Sequence, residues 1–106
     1  MQLRTKLQKR WATKVGTTYP DEFVVVGGHY DSVSQNAPVL APGAEDNASG
    51  TSSVMEIARI SAGRQFERSV QFVLFDSEEQ GLYGSYHFVS EATALGRDIV
   101  AAITMD

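Results

Sequence analysis

The chain has 106 residues, enough for one domain that buries roughly two-thirds of the surface its unfolded form exposes. Thirteen acids against nine bases give a net charge of -4, and no basic stripe lies beyond Arg4 to Lys14, so a nucleic-acid partner is not expected. Zero cysteines exclude disulfides, thiolate zinc sites and cysteine nucleophiles, and no apolar run approaches the ~18 residues of a membrane span.

In chain order, the first 20 residues are polar and basic and read as an edge strand or connecting arm. Their start, MQLRTKLQKRW, lacks the apolar core of a signal peptide. The segment TTYPDE reads as a turn around Pro20 and Asp21. Phe23 to Gly28 is a continuous valine-rich run, the signature of a strand covered on both faces. Ser32 to Glu45, with Pro38, Pro42 and Gly43, predicts a long loop, and long loops in compact domains are usually functional.

A helix is expected to begin near Asn47 or Ser49, both good caps, and to run to about Ala62, with Val54, Ile57, Ala58 and Ser61 at helical spacing. Its opening residues, Ala48 to Ser53, are all small, which lets the helix start close against a sheet or ligand. Val70 to Phe75 predicts the second buried strand. Leu82 to about Leu95 predicts a second helix, with Leu82, Tyr86 and Val89 on one stripe and Gly96 as the stop. Ile99 to Met105 predicts a third buried strand.

Strand, helix, strand, helix, strand implies an α/β fold with parallel strands joined by crossovers. Ligands of such sheets bind outside the carboxyl ends of the strands. The candidate ligands fall there: His29 and Asp31 after the first buried strand, Asp76, Glu78 and Glu79 after the second, and Asp106 after the third. Asp46 stands at the entrance of the first helix.

Imidazole and carboxylate are the usual protein ligands of catalytic zinc. Two metals about 3.5–4 Å apart need a bridging carboxylate, and Asp46 is central enough to serve. Asp31, two residues from His29, can hydrogen-bond and orient its ring. Of Glu78 and Glu79, one can bind a metal while the other stays free as a general base. Taken singly, each motif has a plainer reading: a surface turn for His29-x-Asp31, a helix cap for Asp46-Asn47, and dipole compensation for the two glutamates. Their order at strand ends is what favours metals. His87 reads as a surface or structural residue, and Tyr83 and Tyr86 as packing groups. No GxSxG, GxGxxG or GxxxxGK[ST] is present, so serine-hydrolase and nucleotide-binding chemistry have no support. A glycosidase would leave His29-x-Asp31 without a role.

The stretches VVVGGHYDS, APGAEDNASG, FVLFDSEEQGLYGS and AAITMD together resemble the zinc-dependent aminopeptidases of the bacterial leucyl aminopeptidase and aminopeptidase Y type. Their wider family includes glutamate carboxypeptidases and glutaminyl cyclases. The resemblance covers about Phe23 to Asp106.

It implies a three-layer α/β sandwich with a mostly parallel, mixed central sheet. It also implies hydrolysis of amino-terminal residues from peptides by metal-activated water, with two zinc ions as cofactors. By the resemblance, Asp46 bridges the zincs, His29 and Asp106 complete one metal, Glu79 binds the other, Glu78 is the base and Asp31 supports His29. The family takes a further histidine for its second metal from a segment downstream of the residue matching Asp106. The second site is therefore expected to be incomplete here, and residues 1–106 to be part of one metallopeptidase catalytic domain. The family also implies a secreted or periplasmic setting. The alternatives are a non-catalytic metal-binding or self-associating module, with association through an exposed sheet edge, or a carboxypeptidase or cyclase of the same fold. Manganese or cobalt would suit the same donors.

Overall fold

A computed structural model of the protein describes residues 10–36 and 39–106. It contains β1 (Arg10–Lys14), β2 (Tyr19–His29), α1 (Ser49–Ser61), β3 (Arg68–Phe75), α2 (Tyr83–Ala94) and β4 (Asp98–Thr104). One sheet runs in the order β1-β3-β2-β4. β2 lies parallel to both β3 and β4, whereas β1 pairs antiparallel with β3, so the sheet is mixed. The expected edge strand is β1; the rest of that expectation falls on residues 1–9, and Pro38 of the predicted loop likewise lies outside the described residues.

The two valine-rich runs occupy the centre because they are apolar on both faces. Neighbouring residues of a strand point to opposite sides. Val25 packs with Val73, Phe75 and Phe88 of α2, while Val26 packs with Phe72 and Val54 of α1. The helices therefore cover opposite faces, and the molecule has three layers. Phe75 and Phe88 meet edge to face, with ring centroids 5.6 Å apart, a geometry favoured by the ring quadrupoles.

Four expectations need correction. TTYPDE is not a turn: Thr17 and Thr18 bend, and β2 already begins at Tyr19. Its register against β3 shifts between Tyr19 and Phe23, and that break absorbs Pro20, which has no N–H to give the ladder. Ser69 fixes this corner, accepting from the Gly16 N–H at 2.9 Å and donating to the Pro20 carbonyl at 2.7 Å.

The second helix does not bury Leu82, Tyr86 and Val89. It buries Gly84, Phe88 and Ala92, a stripe at spacing four whose small members let α2 approach the sheet. Tyr83 and Tyr86 are exposed rather than packed. Finally, β4 is not buried: it ends the sheet order, only Ile99 packs on the α2 cluster, and Ile103 is 55% exposed. Among the described residues no helix is long and apolar enough to cross a membrane.

Candidate metal centre

The carboxyl ends of β2, β3 and β4 lie side by side, and each delivers an acid or imidazole to one place. His29 is the last residue of β2 and is only 4% exposed. Asp106 follows β4, two residues past its end. Asp46 comes from the irregular turn Ala44–Ala48 that leads into α1, with φ -115 and ψ 86 at Asp46 breaking any helical path. Glu78 and Glu79 come from the connection between β3 and α2. Two non-glycine residues in the left-handed region, Ser77 (φ 57) and Leu82 (φ 63), bracket that connection. Such backbone costs of order 1–3 kcal/mol each and persists where surrounding structure enforces it.

His29 is the centre of the cluster. Its Nε2 lies 3.0 Å from Asp46 Oδ1, 3.2 Å from Asp106 Oδ1 and 3.8 Å from Glu78 Oε2. Two groupings have donor atoms all within 4.8 Å: His29, Asp46 and Asp106, and His29, Glu78 and Glu79. On its other side, His29 Nδ1 lies 3.1 Å from the Asp31 carbonyl oxygen. A carbonyl can only accept, so Nδ1 carries a proton; Nε2 donates to the carboxylates when it too is protonated and becomes a lone-pair donor to a cation once that proton leaves.

The Asp31 carboxylate is farther from the ring, with Oδ1 at 3.5 Å from Nδ1. It accepts instead from the Glu78 and Glu79 backbone N–H groups, both at 3.1 Å. Asp31 thus orients His29 through its main chain and anchors the Glu78-Glu79 connection through its side chain.

Electrostatics follow from this crowding. Burial works against the charged form of His29. The Asp106 hydrogen bond, the Asp31 carbonyl and the charges of Glu78 and Asp31 outweigh it and raise the imidazole above its ordinary 6.5. Glu79 is raised above its ordinary 4.5 by desolvation and by the negative charges of Asp46, Glu78 and Asp31, with His29 pulling the other way. A cation placed among these groups would relieve both effects.

The donor set fits zinc. Bonds of about 2.0–2.1 Å in a tetrahedron put neighbouring ligand atoms about 3.3 Å apart, close to the 3.0 and 3.2 Å separations around His29 Nε2. A cleft opens beside the cluster, with Phe75, Leu82 and Met105 as apolar walls next to Glu78 and Asp106.

All five residues singled out as metal or base groups meet here, together with Asp31. Asp76 does not join either grouping; its carboxylate accepts the Ser77 N–H at 2.8 Å. His87 is exposed and pairs loosely with Glu91 at 4.0 Å. Sequence reasoning missed Asn47 and Thr51 as parts of the centre. Thr51 Oγ1 donates to the His29 carbonyl at 2.7 Å, and Asn47, read only as a helix cap, does so at 3.3 Å. The run of small residues at the helix start was the one signal of this close approach.

An open α/β sheet with imidazole and carboxylates gathered at its strand ends is an arrangement able to hold divalent cations. A model of Peptidase family M28 matches residues 11–106, and the chain belongs to that family. It is 46% identical over 83 residues to a "Probable zinc metalloprotease" of Pyricularia oryzae, covering 76% of this chain and 16% of that protein. It is 44% identical over 71 residues to "Aminopeptidase YwaD" of Bacillus subtilis, covering 67% of this chain and 14% of that one. The solved aminopeptidase from Aneurinibacillus sp. strain AM-1 matches with a TM-score of 0.76 at 28% identity, over 92% of this chain and 24% of that chain. LapA aminopeptidase of Legionella pneumophila matches with a TM-score of 0.70 at 26% identity, over 95% and 30% respectively. The chain thus spans less than a third of the length of these relatives.

Proposed function

We propose that this chain supplies the amino-terminal part of the catalytic domain of a zinc-dependent aminopeptidase, acting on the amino-terminal residues of peptides. The observation that carries the reading is the His29, Asp46 and Asp106 cluster, with Glu78 at 3.8 Å from the same imidazole nitrogen. Membership of a peptidase family and the names of the aminopeptidase relatives support the substrate class.

His29, Asp46 and Asp106 would hold one zinc, and Asp46 with Glu79 a second. Zinc there supplies Lewis acidity that polarises a scissile carbonyl and acidifies water. Glu78, less bound than Glu79 in this scheme, takes a proton from water and returns it to the leaving amine. Asp31 keeps His29 in the tautomer that offers Nε2 and keeps Glu78 in reach by holding its backbone N–H.

The test is zinc-dependent release of a chromophore from an aminoacyl anilide, assayed with the 106-residue chain. Activity should vanish with chelator and in Glu78→Gln. Persistence in Glu78→Gln would sink the base assignment, and release that ignores chelator would sink the metal chemistry. A second reading, a non-catalytic self-associating module, draws support from β4, whose exposed edge and Val100 and Ile103 side chains suit strand-to-strand pairing. Sedimentation of the chain as monomer at micromolar concentration would remove it.

A further inference from the structure

Asn47 is 1% exposed and uses both ends of its amide. Nδ2 donates to the Met105 carbonyl at 2.8 Å and to the His29 carbonyl at 3.3 Å, and Oδ1 accepts the Gly50 N–H at 3.0 Å. These partners belong to the end of β2, the residue before Asp106, and the first turn of α1. Asn47 itself directly follows Asp46. One side chain therefore touches the backbone beside each member of the His29, Asp46 and Asp106 cluster.

Its seat is built for it. A Cβ on Gly50 would lie 2.2 Å from Asn47 Oδ1, and one on Gly28 would lie 3.3 Å from Nδ2 and 3.0 Å from the Met105 carbonyl. Along β2 and β4 the last backbone bond is Met105 N–H to the Gly27 carbonyl at 2.9 Å. Beyond it, the Met105 carbonyl has Asn47 as its partner, so this amide is the final tie before the exposed Asp106.

We propose that Asn47 is a positioning residue that holds the ends of β2 and β4 against the Asp46 turn, so that the three donors stay at one ion's spacing. A helix cap alone needs only Oδ1. The clasp needs Nδ2, whose two carbonyl partners come from different strands. The proposal rests on the zinc reading for its consequence but not for its geometry, and the two can fail separately.

Asn47→Asp keeps the size and the cap acceptor and removes both donors; Asn47→Ser, shorter and uncharged, keeps a cap acceptor and has one O–H donor for the two carbonyls, so it breaks the two-strand clasp in case the first variant does not fold. In the metal-free 106-residue chain, amide hydrogen exchange at Met105 should quicken by about tenfold or more in either variant, while Gly50 stays protected. Unchanged Met105 exchange would overturn the clasp. Zinc affinity should fall by about 10–100-fold. The d–d absorption of bound Co2+ at saturation should weaken and shift, a change that lower stability alone would not produce. A wild-type spectrum and affinity in both variants would overturn the positioning role. If the wild-type chain takes up no zinc, the proposed function fails, and the clasp stands or falls on the exchange result.

Discussion

At Glu78 and Asp31 the roles of side chain and backbone separate cleanly. The Glu78 backbone N–H is held by Asp31, so Glu78→Gln leaves the connection in place while removing the proposed proton acceptor. Turnover should drop by about 10²–10⁴-fold with zinc affinity nearly unchanged, measured by steady-state kinetics beside a zinc titration. Asp31→Asn does the reverse. Its carboxylate accepts two N–H groups, and an amide can accept only on its oxygen, leaving one donor facing an NH2. Stability should fall by about 1–3 kcal/mol in urea unfolding, and the Nδ1 contact to the Asp31 carbonyl should survive because it is main chain. The raised pKa of His29 has a sign that can be checked. The folded metal-free chain holds this proton more tightly than the unfolded chain, so its stabilisation is complete below the ordinary 6.5 and is lost as pH climbs through the raised value. Glu79, also raised, acts in the same direction from its ordinary 4.5 upward. Zinc must displace the His29 proton, so its affinity should increase over the interval in which metal-free stability falls. Melting curves with chelator and zinc titrations across that interval test both halves.

Among the elements, legibility tracked how many faces a segment buries. The runs in β2 and β3 are apolar on both sides, and nothing but a central strand fits them. Their ends, and with them His29 and the acids after Phe75, were readable for the same reason. α2 was legible as a helix but not in its orientation. Its bulkier residues Tyr83, Tyr86 and Val89 face solvent, while glycine and alanine flank the buried Phe88, and hydrophobic weight points the wrong way when close approach selects small residues. The run Ile99 to Met105 signalled a strand but could not signal that its sides lie open. Asn47 looked like any cap because its second set of partners is distant in sequence. Gly84 turns this into a prediction. A Cβ there would lie 2.3 Å from the Asp76 carbonyl oxygen and 2.8 Å from its nitrogen, and both are backbone atoms that cannot swing aside. Gly84→Ala should cost about 1–3 kcal/mol in chemical denaturation. It should also push α2 from the end of β3, an increase in hydrogen exchange at the α2 start that leaves the tight zinc site alone, whereas Val89→Ala on the exposed side of the same helix should do neither.

For the molecule as a whole, the decisive quantity is how many ions this chain can hold tightly. Both donor groupings include His29, and a single nitrogen, Nε2, faces Asp46, Asp106 and Glu78. That nitrogen can bind one ion at a time. Filling the first grouping leaves Asp46 and Glu79 for a second ion, two protein donors where zinc sites use three or four. Calorimetry on the 106-residue chain should therefore give one tight zinc, with any second event weak. An ion held by the first grouping would add a tie between β2, β4 and the turn before α1. Zinc at 100 times its dissociation constant should add about 2.7 kcal/mol to stability. For a chain of this size, at about 4–8 °C per kcal/mol, that corresponds to a rise in melting temperature of about 10–20 °C. His29→Ala should abolish both the binding and the rise, since it removes the donor common to the two groupings. Glu79→Ala should leave the tight event intact. Two tight ions in the wild-type chain, or a zinc-induced rise that survives His29→Ala, would show that the donors are not partitioned around one imidazole.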